Sequence, residues 1–125
     1  MATYLDSILA RHRDVAAADD RSLDALVGEA RECPPSRGFR DALLATERLA
    51  VISEIKRRSP SKGDLHGGLD PATMAAAYQS GGASCLSVLT DGEFFGGSPD
   101  DLRTARRACD LPGRQHGRPQ PVRLL

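Results

Sequence analysis

The apolar positions of this chain fall into two regimes. Up to residue 44 they recur at helical spacing. Tyr4, Leu5, Ile8, Leu9, His12 and Val15 follow a Thr3 cap with Asp6 three residues on, which predicts an amphipathic helix over 3–18. Leu23, Leu26, Val27 and Ala30 stand at i, i+3, i+4 and i+7 after Ser22, and this second helix must stop at Pro34-Pro35. Phe39 and Leu43, one turn apart, predict a short third helix over 36–44. From residue 50 the period changes: VISEIK reads as a β-branched strand over 50–56, with Ile52, Glu54 and Lys56 on one face and Val51, Ser53 and Ile55 on the other. Residues 57–69 read as a loop. Asp70-Pro71, a cap with proline at the first helical position, opens a helix that carries Met74 and Tyr78 one turn apart and stops at Gly81-Gly82. SCLSVLT, 84–90, reads as a second buried strand with DGEFFGG, 91–97, as its loop. Ser98-Pro99-Asp100-Asp101 then repeats the cap, opening a helix through Leu102, Ala105 and Cys109, and Leu111-Pro112 approaches a third strand.

Two successive strand-loop-helix units imply parallel strands joined by right-handed crossovers, and hence an α/β fold. A parallel sheet needs both faces covered, and two strands cannot form such a layer alone. The expected division is a helical extension over 1–49, two βα units over 50–112, and a tail over 113–125. That tail, GRQHGRPQPVRLL, has no period and two prolines, and is expected to be solvated or disordered rather than a continuing central strand.

Composition narrows the classes. The chain of 125 residues suffices for one ordinary domain, and its formal net charge is zero, so no global field argues for nucleic acid or a membrane surface. The tail carries three arginines and no acid, which leaves fourteen basic against seventeen acidic residues, −3, in residues 1–112. Cys33, Cys85 and Cys109 form no paired spacing, so reduced thiols are expected rather than a zinc site or disulfide framework. His12, His66 and His116 lie in unrelated contexts, match no ligand spacing and receive no role; no metal is expected. The N-terminus breaks its apolar residues with Asp6 and Arg11, unlike a signal peptide, and no apolar run approaches the roughly 20 residues of a membrane span. A cytoplasmic location is the expectation.

The chemistry concentrates after the first strand. Glu54 and Lys56 share a strand face at its C-terminal end, a costly pairing in a core unless the charges are paired or used. The run KRRSPSK, 56–62, resembles a solvated basic loop, a targeting patch or a nucleic-acid contact. At the C-terminal end of a parallel strand, where α/β folds keep their sites, it reads better as an anion-binding loop. Phe94 and Phe95, followed by Gly96-Gly97-Ser98, serve either as a packed corner or as an aromatic wall for a planar, anionic organic substrate.

At this point the motifs become specific. VISEIKRRSPSKGDL and the downstream LSVLTDGEFFGGS resemble indole-3-glycerol phosphate synthases, over roughly residues 3–112. The resemblance implies a (β/α)8 barrel with N-terminal helices over its open end, of which this chain would hold the N-terminal helices and about two βα units, an incomplete barrel. It implies a carbon-carbon lyase of tryptophan biosynthesis, with no cofactor. The reaction would convert 1-(2-carboxyphenylamino)-1-deoxyribulose 5-phosphate to indole-3-glycerol phosphate by ring closure, decarboxylation and dehydration. By position, Lys56 resembles the lysine that contacts the anionic substrate and assists the chemistry, and Glu54 the carboxylate beside it in the proton-transfer network. Ser59 matches the signature serine near the substrate's carboxylate end, and Phe95 an aromatic of the pocket for the anthranilate ring.

One departure matters. After Asp110-Leu111-Pro112 the family continues into a Lys-Asp-Phe segment whose lysine is the principal general acid, and this sequence reads Gly113-Arg114-Gln115-His116. A barrel of this kind needs about 250 residues. The chain is therefore expected to be the N-terminal part of such an enzyme, ended early by a frameshift or truncated reading frame and inactive alone. The alternative is a non-catalytic form that binds an anionic metabolite or completes a barrel with a partner fragment. Exposed strand edges would favour self-association.

Overall fold

A computed structural model describes residues 1–116; the expectation for residues 117–125 lies outside them. The chain divides into two compact units, the first Met1–Pro35 and the second beginning at Ser36.

The first unit holds two helices. Helix α1, Tyr4–Ala17, starts with a complete capping box: the Thr3 hydroxyl accepts from the Asp6 amide while the Asp6 carboxylate accepts from the Thr3 amide at 2.7 Å. Those bonds hold the Asp6 carboxyl below its ordinary value. Helix α2, Leu23–Arg31, is capped by Ser22, whose hydroxyl accepts from the Ala25 amide, and it ends before Pro34-Pro35 as expected. Asp19 bridges to Arg21 between them. Neither helix buries a residue.

The second unit begins with α3, Phe39–Leu44, which starts three residues later than its predicted bound because Gly38 turns the chain in the left-handed region, at φ 67°. The second compact unit thus includes α3, whose Phe39 carbonyl accepts from Cys85 Sγ, tying it to the strand region. Strand β1 is Ile52–Ile55. The expected loop that follows contains a small antiparallel hairpin, β2 (Arg58–Ser59) with β3 (Gly63–Asp64), closed around Pro60-Ser61-Lys62. Helix α4, Pro71–Ser80, begins on Asp70, which accepts from the Ala72 and Thr73 amides. Strand β4, Cys85–Leu89, is buried along its whole length. The next expected loop includes one helical turn, α5 (Gly92–Phe95), because Asp91 caps it by accepting from the Phe94 amide at 2.7 Å and Gly96 ends it at φ 65°. Helix α6, Pro99–Ala108, follows on Ser98.

The largest correction concerns the tail. Gly113–His116 forms β5, paired in parallel with β4, where a solvated segment was expected from residue 113. Its pairing needs backbone groups rather than an apolar period: the Leu86 amide donates to the Pro112 carbonyl at 2.9 Å and the Thr90 amide to the His116 carbonyl at 3.1 Å. The prolines that argued against a strand, Pro119 and Pro121, lie beyond it.

The sheet order is β1-β4-β5, all parallel. Its helix-facing side carries Ile55, Leu86 and Val88, which pack with Ala75 of α4 and Ala105 and Cys109 around α6. Met74, Tyr78, Leu102 and Leu111 complete this core. The opposite side, by the two-residue period, is the one that carries Glu54 and Ser87, which stand directly across from each other in register.

Two polar devices hold the layers in place. The Arg37 guanidinium donates from Nη1 to the carbonyls of Cys109 (2.6 Å) and Leu111 (3.3 Å) and from Nη2 to that of Arg106 (3.1 Å), satisfying the C-terminal end of α6. Tyr78 of α4 donates its hydroxyl to the Glu54 carbonyl at 3.1 Å, fixing β1 against its crossover helix.

Candidate functional site

The end of β1 carries a group of charged side chains. Lys56 Nζ stands 3.2 Å from Glu54 Oε1, and both side chains are 34% exposed. The pairing answers the cost of two charges beside a sheet without removing either from a ligand's reach. Glu54 Oε2 has two further neighbours, the Ser87 hydroxyl at 3.4 Å from β4 and His116 Nδ1 at 3.3 Å from β5. Three adjacent strands thus converge on one carboxylate. Such a carboxylate can accept from three directions, and the lysine and imidazole beside it are able to donate to an anionic or carbonyl-bearing ligand.

The basic run KRRSPSK does not act as one patch. Arg57 is turned into the fold: its Nε and Nη2 each donate to the Asp101 carboxylate at 2.9 Å, and its Nη1 donates to the Leu69 carbonyl at 2.7 Å. The hydrogen bonds that it donates to Asp101 raise the Arg57 pKa above its ordinary value, against the opposing effect of burial. Arg58 donates to the Glu93 carbonyl, which fastens the hairpin to α5. Of the first three cations Lys56 stands with Glu54, while Lys62, at the hairpin turn, is exposed.

Ser59 lies on β2 and its hydroxyl accepts from the Lys62 amide at 3.3 Å, shaping the hairpin turn. Phe95 ends α5, half-buried, beside the left-handed Gly96 that abuts the Arg58 side chain. The four predicted residues therefore fall into two groups, Glu54 with Lys56 at the strand end, and Ser59 on β2, against which α5 with its Phe95 packs. Gly97 closes this turn back on the sheet: a Cβ there would sit 1.9 Å from the Leu89 carbonyl oxygen.

Sequence reasoning passed over three members. Ser87 was read only as strand, although its alternation with Leu86 and Val88 marks it as facing away from the helices. Asp101 was read as a helix-start acid, and its partner is 44 residues away, which spacing cannot reveal. His116 was assigned to the tail. Among the described residues no group of three or more metal-ligating side chains exists that could hold a metal ion, and no helix is long and apolar enough to cross a membrane.

The chain matches the family profile described as Indole-3-glycerol phosphate synthase over residues 5–116. It is 48% identical over 112 residues to the indole-3-glycerol phosphate synthase of Rhodopirellula baltica, covering 88% of this chain and 43% of that protein. The synthases of Hyphomonas neptunium and Bordetella pertussis are each 48% identical over 117 residues, covering 90% of this chain and 44% and 45% of their own lengths. The chain thus spans under half the length of these curated relatives. A three-stranded parallel sheet with crossover helices is what part of a (β/α)8 barrel looks like, and with the profile match running from α1 into β5 the chain belongs to the indole-3-glycerol phosphate synthase family.

Proposed function

We propose that this chain supplies the first wall of an indole-3-glycerol-phosphate synthase site, with Glu54 and Lys56 as its acid–base pair. The observation that carries this reading is the 3.2 Å Lys56–Glu54 contact at the C-terminal end of a parallel strand, both side chains about a third exposed. Ring closure and decarboxylation of 1-(2-carboxyphenylamino)-1-deoxyribulose 5-phosphate need a proton delivered to the substrate carbonyl, and dehydration needs a second transfer. Lys56 is suited to contact the anionic substrate and donate, and Glu54 to hold and exchange the proton. Ser59 would meet the carboxylate end of the substrate and Phe95 the anthranilate ring. No cofactor enters this scheme, and a cytoplasmic place in tryptophan biosynthesis fits it.

Turnover is expected to need the residues that the relatives carry beyond the matched region. The test is production of indole-3-glycerol phosphate by the 125-residue chain alone and together with a polypeptide comprising the remainder of the Rhodopirellula baltica synthase. The expected result is no turnover alone, turnover on mixing, and loss of about a hundredfold or more with Lys56→Met in the mixture. Full activity of the mixture with Lys56→Met would sink the assignment. A second reading, association without catalysis, is favoured by the position of β1 and β5 as the two outer strands of the sheet among the described residues. Concentration-dependent size-exclusion behaviour without the added polypeptide would support it.

A further inference from the structure

We propose that His116 is a third proton-exchanging group of this site, oriented by Glu54 in a carboxylate–imidazole dyad that leaves Nε2 as its working atom. This rests on the reading that the C-terminal ends of these strands form the site. The placement follows from register: β1 pairs Ile55 with Val88 and β4 pairs Leu89 with His116, so Lys56 and His116 flank Leu89 at one level of the sheet. The contact is His116 Nδ1 to Glu54 Oε2, 3.3 Å. A carboxylate offers no proton, so the hydrogen in this contact belongs to Nδ1, and the neutral ring then keeps a lone pair on Nε2. Glu54 is itself held, by Lys56 at Oε1 and by Ser87 at Oε2, so the orienting group has a fixed position. The imidazole is 62% exposed, open to a ligand rather than sealed in the core. The charged groups that share its surroundings are Glu54 from β1, Lys56 just after it, and Arg114, two residues earlier on β5; β4 contributes the neutral Ser87.

The arrangement has a chemical consequence. A carboxylate on Nδ1 fixes the tautomer and the plane in which the far nitrogen accepts or returns a proton. Lys56 can only donate while it is charged, whereas a ring of this kind accepts from one ligand atom and returns to another. Two complementary groups then flank the same ligand position.

The test is the ring tautomer, read by nitrogen-15 spectra of the full chain labelled at histidine, in mildly alkaline buffer where imidazoles are neutral. The expected spectrum has His116 mainly as the Nδ1–H tautomer, and Glu54→Ala lowers its ratio to Nε2–H about three- to tenfold. An Nε2–H majority in the parent chain overturns the dyad, as does a ratio that Glu54→Ala leaves unmoved. If Glu54→Ala does not fold, the tautomer of the parent chain decides alone. The outcome is separable from the synthase reading: an Nε2–H ring removes the dyad and leaves the Glu54–Lys56 pair standing, and absent turnover in the mixing assay leaves the tautomer result standing.

Discussion

Replacing Asp101 by Asn removes the charge that Arg57 was turned inward to meet, and the structure sets the size of the effect. Two N–O contacts of 2.9 Å join the side chains in a bidentate fork, and a third bond of 2.7 Å ties Arg57 to the Leu69 carbonyl. An exposed pair contributes about 0.2–1 kcal/mol, and breaking a fully buried one costs about 3–5 kcal/mol. At 12% exposure for Asp101 and 26% for Arg57, the pair lies nearer the buried limit but retains some solvent screening. We expect Asp101→Asn to cost about 2–3 kcal/mol. The bond to Leu69 survives in that variant, so Arg57→Met should cost slightly more. The double variant leaves neither charge stranded, and the cycle should return a coupling of about 1.5–2 kcal/mol. Urea unfolding of the full chain, followed by far-ultraviolet circular dichroism, measures all four states. A coupling below about 0.5 kcal/mol would refute the inward assignment of Arg57 and return it to the basic, anion-facing surface.

Other expectations follow from the same contacts. Gly97→Ala forces a methyl into the Leu89 carbonyl, a backbone atom that cannot swing aside, and should cost about 3 kcal/mol in the same unfolding assay. Val88→Ala empties part of the fully buried centre of β4 and should cost about 2–3 kcal/mol. Asp70 has its carboxyl held below its ordinary 3.8 by the Thr73 hydroxyl and amide, so its capping contribution is complete above that value and is lost as pH falls through the lower folded-state value. The Ala72 and Thr73 amide signals should therefore move only in acid below about pH 4, and Asp70→Asn should abolish that movement while keeping the cap at neutral pH.

The helices and first two strands were legible because their signals are local. Thr3 with Asp6, Ser22, Asp70-Pro71 and Ser98-Pro99 each announce a helix start within four residues, and every one of them caps a helix. The period-two reading of VISEIK put Glu54 and Lys56 on one side, and their side chains do meet. What escaped had no local signature. β5 has neither alternating apolarity nor β-branched residues; it forms because the edge of β4 away from β1 offers backbone groups to pair with. Arg57 and Lys56 are adjacent in sequence and similar in charge, and only the distant Asp101 separates their fates. The turn over Gly92–Phe95 was read as part of a loop, because four residues are too few to distinguish a helical turn from one.

The three carbonyl contacts of Arg37 have a meaning beyond the end of α6. They grip Arg106, Cys109 and Leu111, the stretch from which the chain enters β5, while the Asp110 amide is held by the Gln79 side chain at 2.6 Å. Together they set the phase at which the last strand begins. In a strand a shift of one residue exchanges the two faces. Slippage there would carry His116 to the helix side and bring Gln115 round toward Glu54. An arginine on the far side of the unit from the chemistry therefore acts as an indexing stop, and a single-residue insertion between Cys109 and Gly113 should disturb the site as surely as a substitution within it.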